Sequence, residues 1–123
     1  MPLFNQDLET NFPPAAQELK NKIEAADGVI IATPEFNRSF SGPLSNAIDW
    51  ISRPYGKNSL VDKPVIVAGV SSGKIGTAVA QSQLKHTLMY LSADIVEQPE
   101  LYLTASDIFE LSSDMKVAFS EPP

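Results

Sequence analysis

Two short stretches hold residue types whose spacing could do chemistry. The first is Thr33-Pro34-Glu35-Phe36-Asn37-Arg38-Ser39, which continues through Phe40-Ser41-Gly42-Pro43-Leu44. The second is Ser71-Ser72-Gly73-Lys74-Ile75-Gly76. Each follows an apolar run, Gly28 to Ala32 and Pro64 to Val70, and each leads into a segment of helical spacing. A proline, an acid, an aromatic and an amide in one strand-to-helix crossing cost backbone freedom, and loops of that kind hold ligands.

Several chemistries are excluded by what the chain lacks. It has no cysteine, so disulfides, thiol catalysis and cysteine-held metal are out, and a reducing compartment suits it. Its one histidine, His86, lies well inside a helical segment, where a packed or surface role is expected. No cluster of His and carboxylates has the spacing of a metal site. No serine sits in a Gly-x-Ser-x-Gly elbow. Gly69-Val70-Ser71-Ser72-Gly73-Lys74-Ile75 superficially resembles a nucleotide-binding P-loop, but three residues rather than four separate the glycines, and Ile75 stands where Ser or Thr should bind Mg²⁺. Catalytic side chains and metal ligands are therefore not expected.

What remains is a site rich in backbone amides and poor in acid–base groups. Gly73 and Gly76 would let the main chain approach a ligand closely, and the following helix would point its positive end at it. A planar, electron-rich ring that gains negative charge on reduction suits such a place, and a flavin is one ligand of that description.

The elements that must position these loops follow from patterning. The 123 residues fit one domain able to bury a core; 43% are apolar, without the ~18-residue unbroken run that spans a bilayer. A net charge of −6 argues against binding nucleic-acid phosphates. The N-terminus has neither the basic flank nor the apolar core of a signal peptide, which points to the cytoplasm. Residues 2–5 read as a short edge strand and residues 5–11 as polar connection. A helix is predicted from Pro13 or Pro14, with Ala16, Leu19, Ile23 and Ala26 inward and Glu18, Lys20, Lys22 and Glu24 outward.

Val29–Ala32 and Pro64–Val70 are apolar without alternation, as strands covered on both faces are. Leu44, Ala47, Ile48 and Ile51 form the stripe of the helix between them. A long helix after residue 76 carries two stripes, Ala80, Leu84, Thr87, Leu88 and Leu91, and Ile75, Val79, Ser82, His86 and Met89; the second suggests a subunit interface. Residues 94–97 and 101–104 read as one interrupted strand. This is an α/β pattern, a parallel sheet with helices on both faces, over residues 1–104, with a weakly patterned tail over 105–123. Both unusual loops leave carboxyl ends of strands and should meet at one site.

The first loop, followed by Gly42-Pro43-Leu44-Ser45-Asn46-Ala47-Ile48-Asp49-Trp50, resembles the signature of the NAD(P)H-dependent FMN reductase family, T-P-E-Y-N and then P-G-x-L-K-N-A-I-D-W. That family includes quinone, chromate and azo-dye reductases. Phe36 replaces the tyrosine, Ser41 the proline and Ser45 the lysine. Gly69 to Thr77 is similar to the second flavin loop, G-A-S-x-G-x-x-G-T. Pro2 to Asp7 resembles the family's second strand, and Gln98-Pro99-Glu100 the approach to its last.

The resemblance implies a flavodoxin-like open sheet, FMN with NADPH or NADH, a small acceptor such as a quinone, and a homodimer or homotetramer. Carried over by position, Pro34, Glu35, Phe36 and Asn37 flank the flavin ring, and Ser71, Ser72 and Gly73 face its polar edge; Arg38, Ser39, Lys74 and Gly76 complete the candidate set. Glu35 and Lys74 have the alternative of solvated surface charges. Trp50 is expected in core packing or at a subunit contact rather than on the ring.

The sequence holds no G-S-x-R-x-x-S segment, the family's cradle for the FMN phosphate, and the closing helix also looks shortened, so an incomplete flavodoxin-like sheet is expected. Two functions follow: an NAD(P)H-dependent FMN reductase acting on a small acceptor, or a non-catalytic flavodoxin-like interaction module with weak FMN binding or none.

Overall fold

The computed structural model describes residues 1–107. After a 3₁₀ helix at Gln6–Asn11, the elements are α1 (Pro14–Ala25), β1 (Val29–Ala32), α2 (Gly42–Ile51), β2 (Pro64–Ser71), α3 (Ala78–Tyr90), β3 (Asp94–Ile95) and β4 (Leu101–Thr104). All strand pairs are parallel. On one edge of β2 lies β1, in the register Ala32 opposite Ala68. On the other edge β3 pairs with Pro64 and Val65, and β4 with Ala68 through Ser71. The two short strands thus share one edge, as an interrupted strand should. The expected tail of 105–123 lies, beyond Asp107, outside the described residues.

The helices begin where their sequences allow. Proline in a first turn gives up an N–H that has no partner there anyway, and α1 opens at Pro14. Ser41 caps α2 by accepting the Leu44 N–H at 3.4 Å. The core joins Ile23 of α1, Ile48 and Ile51 of α2, and Leu84 and Leu88 of α3 to Val65 and Val67 of β2. Each such side chain contributes roughly 1.5–3 kcal/mol by leaving water.

The patterning is corrected in four places. The strands were expected to be covered on both faces, but among the described residues burial alternates. Val29, Ile31, Val65 and Val67 pack on the helices, whereas Ile30 is 73% exposed and Val70 is also exposed. The unbroken Val-Ile-Ile run therefore hides a difference between the faces, because β-branched residues suit a strand on either one. The parallel open sheet itself is as expected.

The second correction concerns residues 2–5, which form no strand. The Pro2 carbonyl accepts from Asn46 Nδ2 at 2.9 Å and from Trp50 Nε1 at 2.8 Å, and Phe4 N–H donates to Asn46 Oδ1 at 2.8 Å. Side chains of α2 thus satisfy this backbone in place of a neighbouring strand. Trp50 is fully buried and packs edge-on against Phe4 and Phe12, with centroids 4.9 and 5.0 Å away, bearing out its expected core role. Third, the connection that follows is helical, with Asn5 accepting the Asp7 N–H at 2.9 Å.

The fourth is Lys20, expected outward but buried. Its ammonium donates to Ile51 O at 3.1 Å, Lys57 O at 2.7 Å and Ser59 Oγ at 2.9 Å. Desolvation lowers its pKa, with the nearby Glu24 opposing that shift. The carbonyl at the end of α2 is among its acceptors, and a cation is favoured at a helix C-terminus.

Candidate functional site

Parallel pairing of β1 with β2 sends both chemistry-bearing loops off the same rim of the sheet, at the carboxyl ends of adjacent strands. The first loop leaves β1 with Thr33, whose N–H still bonds Ala68 O at 3.0 Å and whose hydroxyl donates to Pro34 O at 2.8 Å. Phe36 to Ser39 then closes on itself: Phe36 N–H reaches Ser39 O at 3.0 Å, and Ser39 N–H returns to Phe36 O at 2.9 Å. Asn37 and Arg38 between them have φ of 52° and 59°. That is a type I′ turn built without glycine, which costs about 1–2 kcal/mol per residue and less for asparagine. Non-glycine residues held in this region are typical of ligand clamps. Phe36 stands 60% exposed at the base of the turn.

Glu35 ties this loop to the helix behind the other one. Oε1 accepts the Ala80 N–H at 2.8 Å, and Oε2 accepts from the Arg38 guanidinium at 2.8 Å. The carboxylate side chain is only 9% exposed. The Ala80 N–H, aided by Arg38 and opposed by desolvation, holds the Glu35 pKa below the usual carboxylate range. Of the alternatives for Glu35, a freely solvated loop acid is therefore overturned.

In the second loop Ser71 Oγ accepts the Gly73 N–H at 3.1 Å. Ser72, Gly73 and Lys74 are exposed at its tip. Gly76 is different. It is buried with φ +59°, and a Cβ there would lie 2.7 Å from the Tyr102 carbonyl carbon. Its lack of a side chain serves the fit against β4, a packing reason that differs from the close ligand approach expected of it. The helix begins at Ala78, and its positive end is already engaged: Ala78 N–H bonds Ile75 O at 3.2 Å, Gln81 N–H bonds Thr77 O at 2.9 Å, and Glu35 holds Ala80. The expectation that these amides face a ligand is corrected accordingly.

Over the carboxyl ends of β1, β2 and β4, beside the start of the first loop, lies an open groove of about 280 Å³ lined by Ala32, Thr33, Pro34, Gly69, Val70 and Leu103. Its lining is almost wholly apolar, and both Glu35 oxygens are engaged elsewhere. Such a place can seat a flat apolar ring and offers it no acid, base or nucleophile. Residues outside the candidate set pack at this rim. Gly69 admits Thr33 and Thr77 to close contact, and Gln81 Nε2 holds Thr77 Oγ1 and Leu101 O, each at 2.9 Å. The available signal was Gly69 itself, since glycine inside a strand often marks a close approach of backbone.

The sequence profile of the family described as NADPH-dependent FMN reductase matches residues 1–107. The chain belongs to that family. Within it, the chain is 47% identical over 103 residues to a 2-hydroxy-1,4-benzoquinone reductase from a Burkholderia species, covering 84% of this chain and 56% of that protein. It is 42% identical over 102 residues to a quinone reductase of Escherichia coli K12, covering 81% and 54%. Among solved structures it is similar to FerB, a flavoenzyme NAD(P)H:(acceptor) oxidoreductase from Paracoccus denitrificans, with a TM-score of 0.81 and 45% identity over 84% of this chain and 57% of that one. That similarity shows the flavodoxin-like fold expected above. The chain spans about half the length of the curated relatives it matches.

Among the described residues, this rim carries an apolar groove and an exposed aromatic, Phe36, which are compatible with a flat ring. None of the described residues is assigned to the FMN phosphate. No described helix is long and apolar enough to cross a membrane.

Proposed function

We propose that the chain holds the flavin ring in an NAD(P)H-dependent FMN reductase that delivers electrons to a small acceptor such as a quinone. The observation that carries this reading is the Glu35–Ala80 bond, which ties the first loop to the helix that follows the second, at the rim that carries the apolar groove. FMN, when bound, would supply the redox chemistry, a two-electron exchange between a nicotinamide and the acceptor.

The chain's residues orient and shield. Pro34, Phe36 and Asn37 form one wall against the ring, with Arg38 and Ser39 completing their turn. Ser71, Ser72, Gly73 and Lys74 would form the other, on the side of the ring's polar edge. Pre-set positioning of this kind accelerates a transfer without any protein group giving or taking a proton. The relatives named as quinone reductases support the acceptor class. The exposed stripe of α3, Ser82, His86 and Met89, is proposed as the contact face of a homodimer or homotetramer, and the cytoplasm as its location; Met89 is 63% exposed there.

Mixing the purified chain with FMN, passing it through gel filtration and adding NADPH tests the reading. Retained flavin absorbance that bleaches with NADPH and recovers with 1,4-benzoquinone is the expected result. A colourless protein even at high FMN overturns it and favours the interaction module.

A further inference from the structure

We infer that Glu35 is a positioning residue that clamps the Phe36–Ser39 turn to the start of α3, so that the two loops grip the flavin ring as one body. This rests on the flavin reading above. It changes the part Glu35 plays, from a group flanking the ring to one that faces the protein with both oxygens.

Three observations combine here. The turn is internally closed, with the Phe36 and Ser39 N–H groups and carbonyls spent on each other. Its two central residues hold positive φ without glycine, so it needs support from outside. Glu35 provides that support at both ends of its carboxylate, to Arg38 within the turn and to Ala80 in α3, a residue 45 positions away. An amide in its place keeps one acceptor while giving up the charge that Arg38 meets.

The charged group facing the carboxylate is Arg38; α3 presents the backbone N–H groups of Ala80 and Val79. Its lowered pKa means the clamp is charged and intact at neutral pH and releases only in acid, below the ordinary carboxylate range.

The test uses the purified chain with two probes, FMN and lumiflavin, which has the ring but no phosphate. Affinity is read by flavin fluorescence quenching, and each variant's thermal melt is recorded. Glu35→Ala is expected to weaken both probes by the same factor, about tenfold or more, and Glu35→Gln by a smaller common factor. Lumiflavin affinity of the wild type is expected to stay level from pH 8 down through the ordinary carboxylate range and to fall only below it, a fall that Glu35→Gln lacks.

Lumiflavin bound by Glu35→Ala within twofold of wild type overturns the positioning role, as does an identical acid fall in Glu35→Gln. Should Glu35→Ala fail to fold, the Glu35→Gln pH profile decides alone. A wild type that binds neither probe overturns the flavin reading together with this one, and so is distinguishable from failure of the clamp.

Discussion

Gly69 and Thr77 are so close that a Cβ on Gly69 would lie 1.9 Å from Thr77 Oγ1 and 2.6 Å from the Thr33 carbonyl oxygen. Neither neighbour can yield readily. Thr77 is fully buried in a left-handed conformation, and Thr33 is held by its hydrogen bond to Ala68. Gly69→Ala should therefore destabilise the chain by about 2–4 kcal/mol through overpacking. A urea titration measures it; a change below 1 kcal/mol would contradict this account of the contact.

The two glycines of the second loop should respond in opposite ways. At Gly73 an added Cβ meets only Ser71 Oγ, at 3.5 Å, which is ordinary contact. Gly73→Ala is expected to change stability by no more than about 0.5 kcal/mol. Gly76 combines positive φ with a 2.7 Å approach to Tyr102, so Gly76→Ala should cost about 1–3 kcal/mol. Thermal melts of the two variants side by side check the contrast.

The tolerance at Gly73 makes it a clean probe of the site. Asn37→Ala combined with Gly73→Val removes the turn's amide and fills the loop tip, where the protein itself leaves room. FMN affinity in the double variant is expected to fall by about a hundredfold or more, equivalent to roughly 3 kcal/mol. Fluorescence titration reads it, and unchanged affinity would remove both loops from the site.

Lys20→Met removes the donor to Lys57 O and Ser59 Oγ, while Ile51 O keeps the Ser59 N–H at 3.0 Å. A loss of about 1–3 kcal/mol is expected from the lost charge-assisted hydrogen bonds. The charge has a pH signature as well. Because the folded-state pKa of Lys20 lies below its ordinary 10.5, the unfolded chain binds more protons between those two values. Stability should therefore rise with pH across that alkaline window in the wild type and lack that rise in Lys20→Met. Urea midpoints at a series of pH values give the comparison.

Much of the architecture could be read from local signals. Prolines 13 and 43 mark helix starts, the stripe of Leu44, Ile48 and Ile51 marks an inward face, and strands alternating with helices imply parallel pairing. The interrupted strand at 94–104 was legible because apolar residues resume after Gln98-Pro99-Glu100. Residues 2–5 were misread because their partner is a set of side chains: Asn46 and Trp50 lie more than 40 positions away, and no local pattern announces them. Lys20 was misread for a related reason, since helical spacing gives a direction and cannot say that three acceptors wait there.

By itself the order of residues determined which loops carry the candidate site and which rim of the sheet they share, because strand polarity and helix periodicity act over a few neighbours. Only the folded chain decided what each side chain does there. It turned Glu35 inward onto Ala80 and Arg38, gave Gly76 a packing task against Tyr102, and closed Phe36 to Ser39 into a left-handed turn. Those outcomes depend on distances between segments far apart in the chain, which are set when the core closes and are not encoded in any single stretch.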